Sequence, residues 1–244
     1  MRCFPSEFSN LLSPAGLAVL QGKELSVSQR FAEASTPILI LENMILPRKA
    51  AACRQLLERS FSGYLQRVVE PISPDLILQA KQDANESLPK TMEFRTSYLE
   101  NRHSRAYEAA TTIQLLSCMQ SASLRQFAEA ATGYRLRSHR GTQIICYEPG
   151  NSVGPHTDSH PEISEARPGY IDVHLMFTAP TVAHQYLVYE EGGLFRRIVD
   201  VTLDGAIAIY HLPFWHYSTP LVSLPKRERS ARRWLLLAGF WILE

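Results

Sequence analysis

After Gly133 the chain becomes a series of short runs rich in β-branched and aromatic residues, and this series restricts the fold more than any other feature. Residues 143–147, 170–177, 185–189, 195–203, 205–210 and 234–242 are strand-sized, and Gly, Pro and Asp punctuate them. The preceding half has a helical character. Regular short strands that follow helices imply helices packed on a β-sandwich or barrel, an α+β chain whose chemistry belongs to its β half.

Upstream, Pro37-Ile38-Leu39-Ile40-Leu41 forms a short apolar β run and Leu46-Pro47-Arg48-Lys49-Ala50 opens a helix. Proline suits the first helical turn, and Ala51, Ala52, Leu56 and Leu57 continue at helical spacing. From Pro71 to Ala131 the sequence reads as mainly helical, with breaks at Pro71, Pro74 and Pro89 and a solvated polar stretch from Lys81 to Glu86. Residues 106–119 and 123–131 have the Ala, Leu and Gln content of helices, and Gly133 fits as the stop of the second. The first thirty or so residues have apolar clusters without a period. The expected organisation is one domain over residues 1–244: an arm or cap at 1–35, a mainly helical support at 36–132 and a β core at 133–244.

Charge narrows the partners. Lys and Arg number 25 against 24 Asp and Glu, and a net charge of +1 provides no broad attraction to nucleic acid or an anionic membrane. The N-terminus lacks the apolar core and cleavage site of a signal peptide, and no stretch approaches bilayer-spanning length, so a cytoplasmic protein is expected. Cys3, Cys53, Cys118 and Cys146 have no C-x-x-C pairing and are read as buried or incidental thiols.

The chemistry-bearing residues stand in the β half. His156-Thr157-Asp158 and the later His216 are two imidazoles and a carboxylate, the ligand set of a facial triad that holds Fe(II) and leaves its other positions open. On one extended strand His156 and Asp158, two apart, face the same way while Thr157 faces the other. A distant strand of a rolled sheet must then supply the third ligand. Three other histidines compete: His160, placed in a loop before Pro161; His174, on a strand and facing either the cavity or the core; and His211, five residues before His216.

From about Thr36 to the C-terminus the chain resembles the Fe(II)/2-oxoglutarate-dependent oxygenases of the prolyl-hydroxylase-like type. Tyr147-Glu148-Pro149-Gly150, His156-Thr157-Asp158, then residues 205–210 leading into Trp215-His216 and Pro220 occur in that family's order, as does the early strand and helix. The resemblance implies a double-stranded β-helix, or jelly-roll, core with helices packed from the N-terminal half. It selects His216 over His211, because Tyr217-Ser218-Thr219-Pro220 resembles the segment after the distal ligand. It implies Fe(II) on His156, Asp158 and His216, with 2-oxoglutarate and O2 as cosubstrates.

The family's far-carboxylate anchor is a basic residue on the last strand, where a guanidinium offers two parallel hydrogen bonds. Arg233, followed by an apolar strand, resembles that residue, and Arg232 would face the other side of the sheet. The chain departs from the pattern in the long approach over residues 223–229 and in having no Ser two residues after either arginine. Tyr147 resembles a tyrosine that hydrogen-bonds the cosubstrate, with packing in the barrel wall as its alternative, and Gln143 shares its face. Gly150 and Gly154 are expected to shape the loop that carries the H-x-D segment.

The activity implied is hydroxylation of an unactivated C–H in a small molecule or amino acid, with release of succinate and CO2. Three alternatives stay open: a protein side-chain hydroxylase, a cupin-like metalloenzyme that does not use 2-oxoglutarate, and a binding protein whose histidines are packed core residues. The helical half and residues 159–169 are expected to decide the substrate.

Overall fold

The computed structural model describes the chain except residues 25–26, 29–30, 32–35, 72–90, 159–162, 164–168 and 244, and the side chains of 138–140. His160, the polar stretch 81–86 and most of the loop 159–169 therefore lie outside the described residues, as do the proposed breaks at Pro74 and Pro89.

Thirteen strands are described: β1 Ile38–Leu41, β2 Gln66–Pro71, β3 Thr91–Tyr98, β4 Leu136–Tyr147, β5 Ser152–His156, β6 Tyr170–Thr178, β7 Val182–His184, β8 Tyr186–Glu191, β9 Leu194–Asp200, β10 Ile207–Leu212, β11 His216–Ser218, β12 Val222–Ser223 and β13 Arg233–Ile242. Five helices accompany them: α1 Pro14–Leu20, α2 Pro47–Phe61, α3 Arg105–Thr112, α4 Leu115–Met119 and α5 Ala122–Thr132. One antiparallel sheet runs β1-β10-β6-β13-β4-β3-β5-β11-β8-β9, with β2 added on β3, while β7 and β12 pair separately.

The sheet is rolled. Tyr210 on β10 and His216 on β11 stand six strand steps apart, about 29 Å in a flat sheet at ~4.8 Å per step. Their ring centroids lie 5.9 Å apart. Two apolar layers result. Outward residues of the long strands, including Ile144, Cys146, Trp234, Leu236, Val173 and Leu175, pack on Cys53, Leu56 and Leu57 of α2 and on the other helices. Their inward neighbours, including Ile145, Tyr147, Leu235, Met176, Ala208 and Tyr210, form the core inside the roll. The period of two thus explains the near-continuous apolar text of β4, β6 and β13: both faces are buried. This α+β jelly-roll is the architecture expected from the sequence.

Local signals behave as their chemistry dictates. Pro47 begins α2, Ser121 caps α5 by accepting the Leu124 N–H, and Gly133 ends α5 at φ 78°. Phe4, Phe8, Leu11 and Leu12 are buried against the helical layer, with Phe8 edge-on to Phe127 at 5.5 Å.

Of residues 71–131, expected to be mainly helical, 105–112, 115–119 and 122–132 are helical, 72–90 lie outside the described residues, and the expectation is corrected at 91–98. β3 occupies Thr91–Tyr98, because Met92, Phe94 and Tyr98 face the cavity while Glu93 points outward to pair with Arg67. Residues 106–119 are two helices rather than one, separated at Ile113 and Gln114, where Gln114 has φ 58°.

Candidate metal centre

β5 ends at His156, and β11 begins at His216 directly opposite it in register. His156 Nδ1 lies 2.7 Å from the Gly154 carbonyl and His216 Nδ1 lies 2.9 Å from the Phe214 carbonyl. A carbonyl only accepts, so each Nδ1 carries the proton and each Nε2 keeps its lone pair. Both Nε2 atoms meet one carboxylate. Asp158 Oδ1 is 3.7 Å from His156 Nε2 and its Oδ2 is 3.6 Å from His216 Nε2, and all three ligand atoms fall within 4.8 Å of one another. Cis ligands of an ion at about 2.1 Å sit about 3 Å apart, so a small inward closure completes the face. Burial first, then the neighbouring His156, pulls His216 down to about 4, which keeps it neutral at physiological pH. The donor set fits a divalent transition-metal ion.

The expectation that His156 and Asp158 share one strand is corrected. Asp158 follows the end of β5, its backbone carbonyl accepts the Tyr170 hydroxyl proton, and Thr157 also lines the cavity. His211 is excluded from the cluster by its position on β10, where its ring packs 5.2 Å from Tyr134 and 6.2 Å from Phe31.

The triad opens onto a cavity of about 500 Å³ inside the roll, lined by residues from β3, β4, β5, β6, β8, β10, β11 and β13. Arg233 lies in its wall and is only 3 % exposed. It sits between Tyr147 on β4 and Thr178 on β6, and its guanidinium lies 5.2 Å from the Tyr147 ring centre. One Nη donates to Gln185 Oε1 at 2.9 Å, the other lies 4.0 Å from Met176 Sδ, and Nε has no hydrogen-bond partner. Among the described residues no carboxylate pairs with it. A buried cation without a counter-ion costs several kcal/mol, so the site fits an anion. Burial pushes the Arg233 guanidinium below its ordinary value and the Tyr147 phenol above its own, with Arg233 opposing the latter shift.

Arg232 faces the other way, as the alternation of β-strand side chains requires. It donates to Glu58 at 2.6 Å and Glu148 at 3.1 Å on the outer surface, and Arg95 reaches Glu148 at 3.4 Å. Its charge is thereby satisfied outside the cavity.

Tyr147 and Gln143, which donates to Thr96 at 2.9 Å, both line the cavity. Sequence reasoning missed Gln185 and Tyr210. Gln185 is fully buried just before β8, where its amide N–H groups reach the Asn151 and Thr219 carbonyls and so aim its oxygen at Arg233. No local pattern identifies that role. Tyr210 had a usable signal: it lies two residues from Ala208 on a predicted strand, on the inward face.

No protein-family model matches the chain, and no curated protein matches it in sequence. Solved structures do match its fold. An oxidoreductase of the 2OG-Fe(II) oxygenase family from Burkholderia pseudomallei aligns with a TM-score of 0.57 over 89% of this chain and 90% of its own, at 14% identity. A prolyl hydroxylase from Trichoplax adhaerens, solved with a hypoxia inducible factor oxygen degradation domain peptide, gives 0.54 over 94% and 93%, at 13% identity. The chain has the fold of the 2-oxoglutarate/Fe(II) oxygenases. SnoK, a non-heme α-ketoglutarate-dependent carbocyclase from nogalamycin biosynthesis, gives 0.57 over 90% and 85%, at 12% identity. Among the described residues no helix is long and apolar enough to cross a membrane.

Proposed function

We propose that this chain is an Fe(II)- and 2-oxoglutarate-dependent oxygenase that hydroxylates an unactivated C–H of a small molecule or amino acid. The observation that carries the reading is the pairing, in one cavity, of a His-Asp-His cluster with a buried guanidinium that has no carboxylate partner among the described residues. His156, Asp158 and His216 hold the metal, and Arg233, with Tyr147, holds the cosubstrate. When bound, the iron and 2-oxoglutarate together activate O2, so that one oxygen enters the substrate while the cosubstrate leaves as succinate and CO2.

The chain's own residues do the positioning. The Gly154 and Phe214 carbonyls fix both imidazoles with Nε2 toward the ion, and Asp158 offsets its charge. Arg233, aimed by Gln185 and only 3 % exposed, would fix the far carboxylate of the cosubstrate through charge-assisted hydrogen bonds. Ile145, Leu235, Leu237 and Phe94 supply apolar wall on the same cavity. The likeness to SnoK, a carbocyclase from nogalamycin biosynthesis, supports the preference for a small substrate.

The test is a screen of candidate small molecules and amino acids against iron-loaded protein, following succinate and product mass. Succinate formation coupled to a product heavier by one oxygen supports the reading. Absence of both binding and turnover of 2-oxoglutarate contradicts it and favours a metalloenzyme of another kind.

A further inference from the structure

Met176 and His174 are consecutive inward-facing residues of β6, separated by about 6.8 Å of strand. Met176 already belongs to the Arg233 site through its sulfur. His174 leads from there toward the triad, because Tyr210 lies beside it at 4.1 Å between ring centres and reaches His216 at 5.9 Å. His174 lines the cavity and is buried, yet its Nε2 has no hydrogen-bond partner. Buried polar nitrogens are normally paired, so this one points to a partner that the described residues do not supply.

The chemistry of that partner follows from the surroundings. Burial first, then the Arg233 charge, holds His174 far below its ordinary value, at about 3, so it stays neutral and carries one N–H to donate. His174, Arg233, Asp158 and His216 all line the one cavity, and Tyr210 links the His174 ring to that of His216. A neutral donor beside an unpaired guanidinium calls for an anionic oxygen acceptor, and Asp158 is committed to the metal cluster.

We infer that His174 is a further contact for the cosubstrate, beyond Arg233 and Tyr147: its Nε2–H donates to a carboxylate oxygen of the 2-oxoglutarate that Arg233 anchors, while Tyr210 packs against the ring to fix its direction. This rests on the function proposed above. It makes the strand bearing His174 a determinant of cosubstrate affinity, in addition to the strand bearing Arg233.

Calorimetric titration of 2-oxoglutarate into Mn(II)-loaded protein tests it, with His174→Phe keeping a ring beside Tyr210 and His174→Gln keeping a donor. The Kd rises roughly tenfold to a hundredfold in His174→Phe, as expected for a hydrogen bond to a charged group, and His174→Gln recovers part of it. Mn(II) affinity, titrated separately, reports whether the triad is intact. Should His174→Phe lose Mn(II) or melt early, His174→Leu replaces it in the comparison. Unchanged 2-oxoglutarate affinity in folded, metal-binding variants overturns the inference and assigns His174 to the core or to the primary substrate. A wild-type protein that takes up Mn(II) but no 2-oxoglutarate is a different result: it overturns the proposed function and this contact with it.

Discussion

Replacing Arg233 by Met separates its cost to folding from its value to binding. In the free protein the guanidinium is buried, its Nε is unpaired and no described carboxylate faces it. Removing such a charge in favour of an apolar side chain of similar length is worth about 1–4 kcal/mol. Gln185 Oε1, fully buried, then loses its donor, at about 1–3 kcal/mol. The variant is therefore expected to lie between about 2 kcal/mol less stable and about 3 kcal/mol more stable than the parent. Cosubstrate binding weakens in either case: truncating one member of a buried, hydrogen-bonded charge pair costs about 2–5 kcal/mol, a rise in Kd of roughly thirtyfold to a few thousandfold. Arg232→Met is the control. It breaks the outer pairs with Glu58 and Glu148, worth about 1 kcal/mol of stability at a partly exposed site, and changes Kd by less than about threefold. Urea denaturation and calorimetric titration of 2-oxoglutarate into Mn(II)-loaded proteins read both quantities. Equal, small changes in Kd from the two variants would refute the assignment, and so would an Arg233→Met protein that is several kcal/mol less stable yet binds 2-oxoglutarate normally.

Two other predictions concern the histidines. His156→Ala, Asp158→Ala and His216→Ala each reduce Fe(II) or Co(II) affinity beyond the roughly 10–100-fold that loss of a supporting group costs, whereas His211→Ala, remote from the cluster, leaves it unchanged in equilibrium dialysis. Stability falls with acid through His174, whose pKa drops from 6.5 in the unfolded chain to about 3 in the folded one. Between those values the unfolded state binds a proton that the folded state does not, so stability rises with pH and the contribution is complete above about pH 6.5. At pH 4.5 the loss is roughly 2–3 kcal/mol; His174→Phe should reduce the pH dependence of urea denaturation by about that amount, and an unaltered slope would count against a neutral buried imidazole.

What the sequence revealed and what it concealed have physical causes. The strands buried on both faces, β4, β6, β10 and β13, are legible because continuous β-branched and aromatic text has few other uses. β3 was read as helical because Glu93, Arg95, Thr96 and Ser97 dilute its apolar alternation, and its place beside β4 is set by long-range pairing. The metal-ligand candidates stood out by residue type and spacing. The direction of Arg233 was also readable, since alternation forces adjacent arginines to opposite faces. Gln185 was not, because its role depends on three backbone segments meeting around one amide. His174 was ambiguous for a related reason: a cavity-facing and a core-facing histidine have the same local sequence.

A single cavity that holds both the metal and the keto acid has a spectroscopic signature, read by anaerobic absorption. Fe(II) and 2-oxoglutarate added together, without oxygen, should produce a visible charge-transfer band that neither gives alone, that disappears in His156→Ala and that needs far more 2-oxoglutarate in Arg233→Met. A wild-type protein that binds Fe(II) but shows no change on addition of 2-oxoglutarate at any concentration would contradict it.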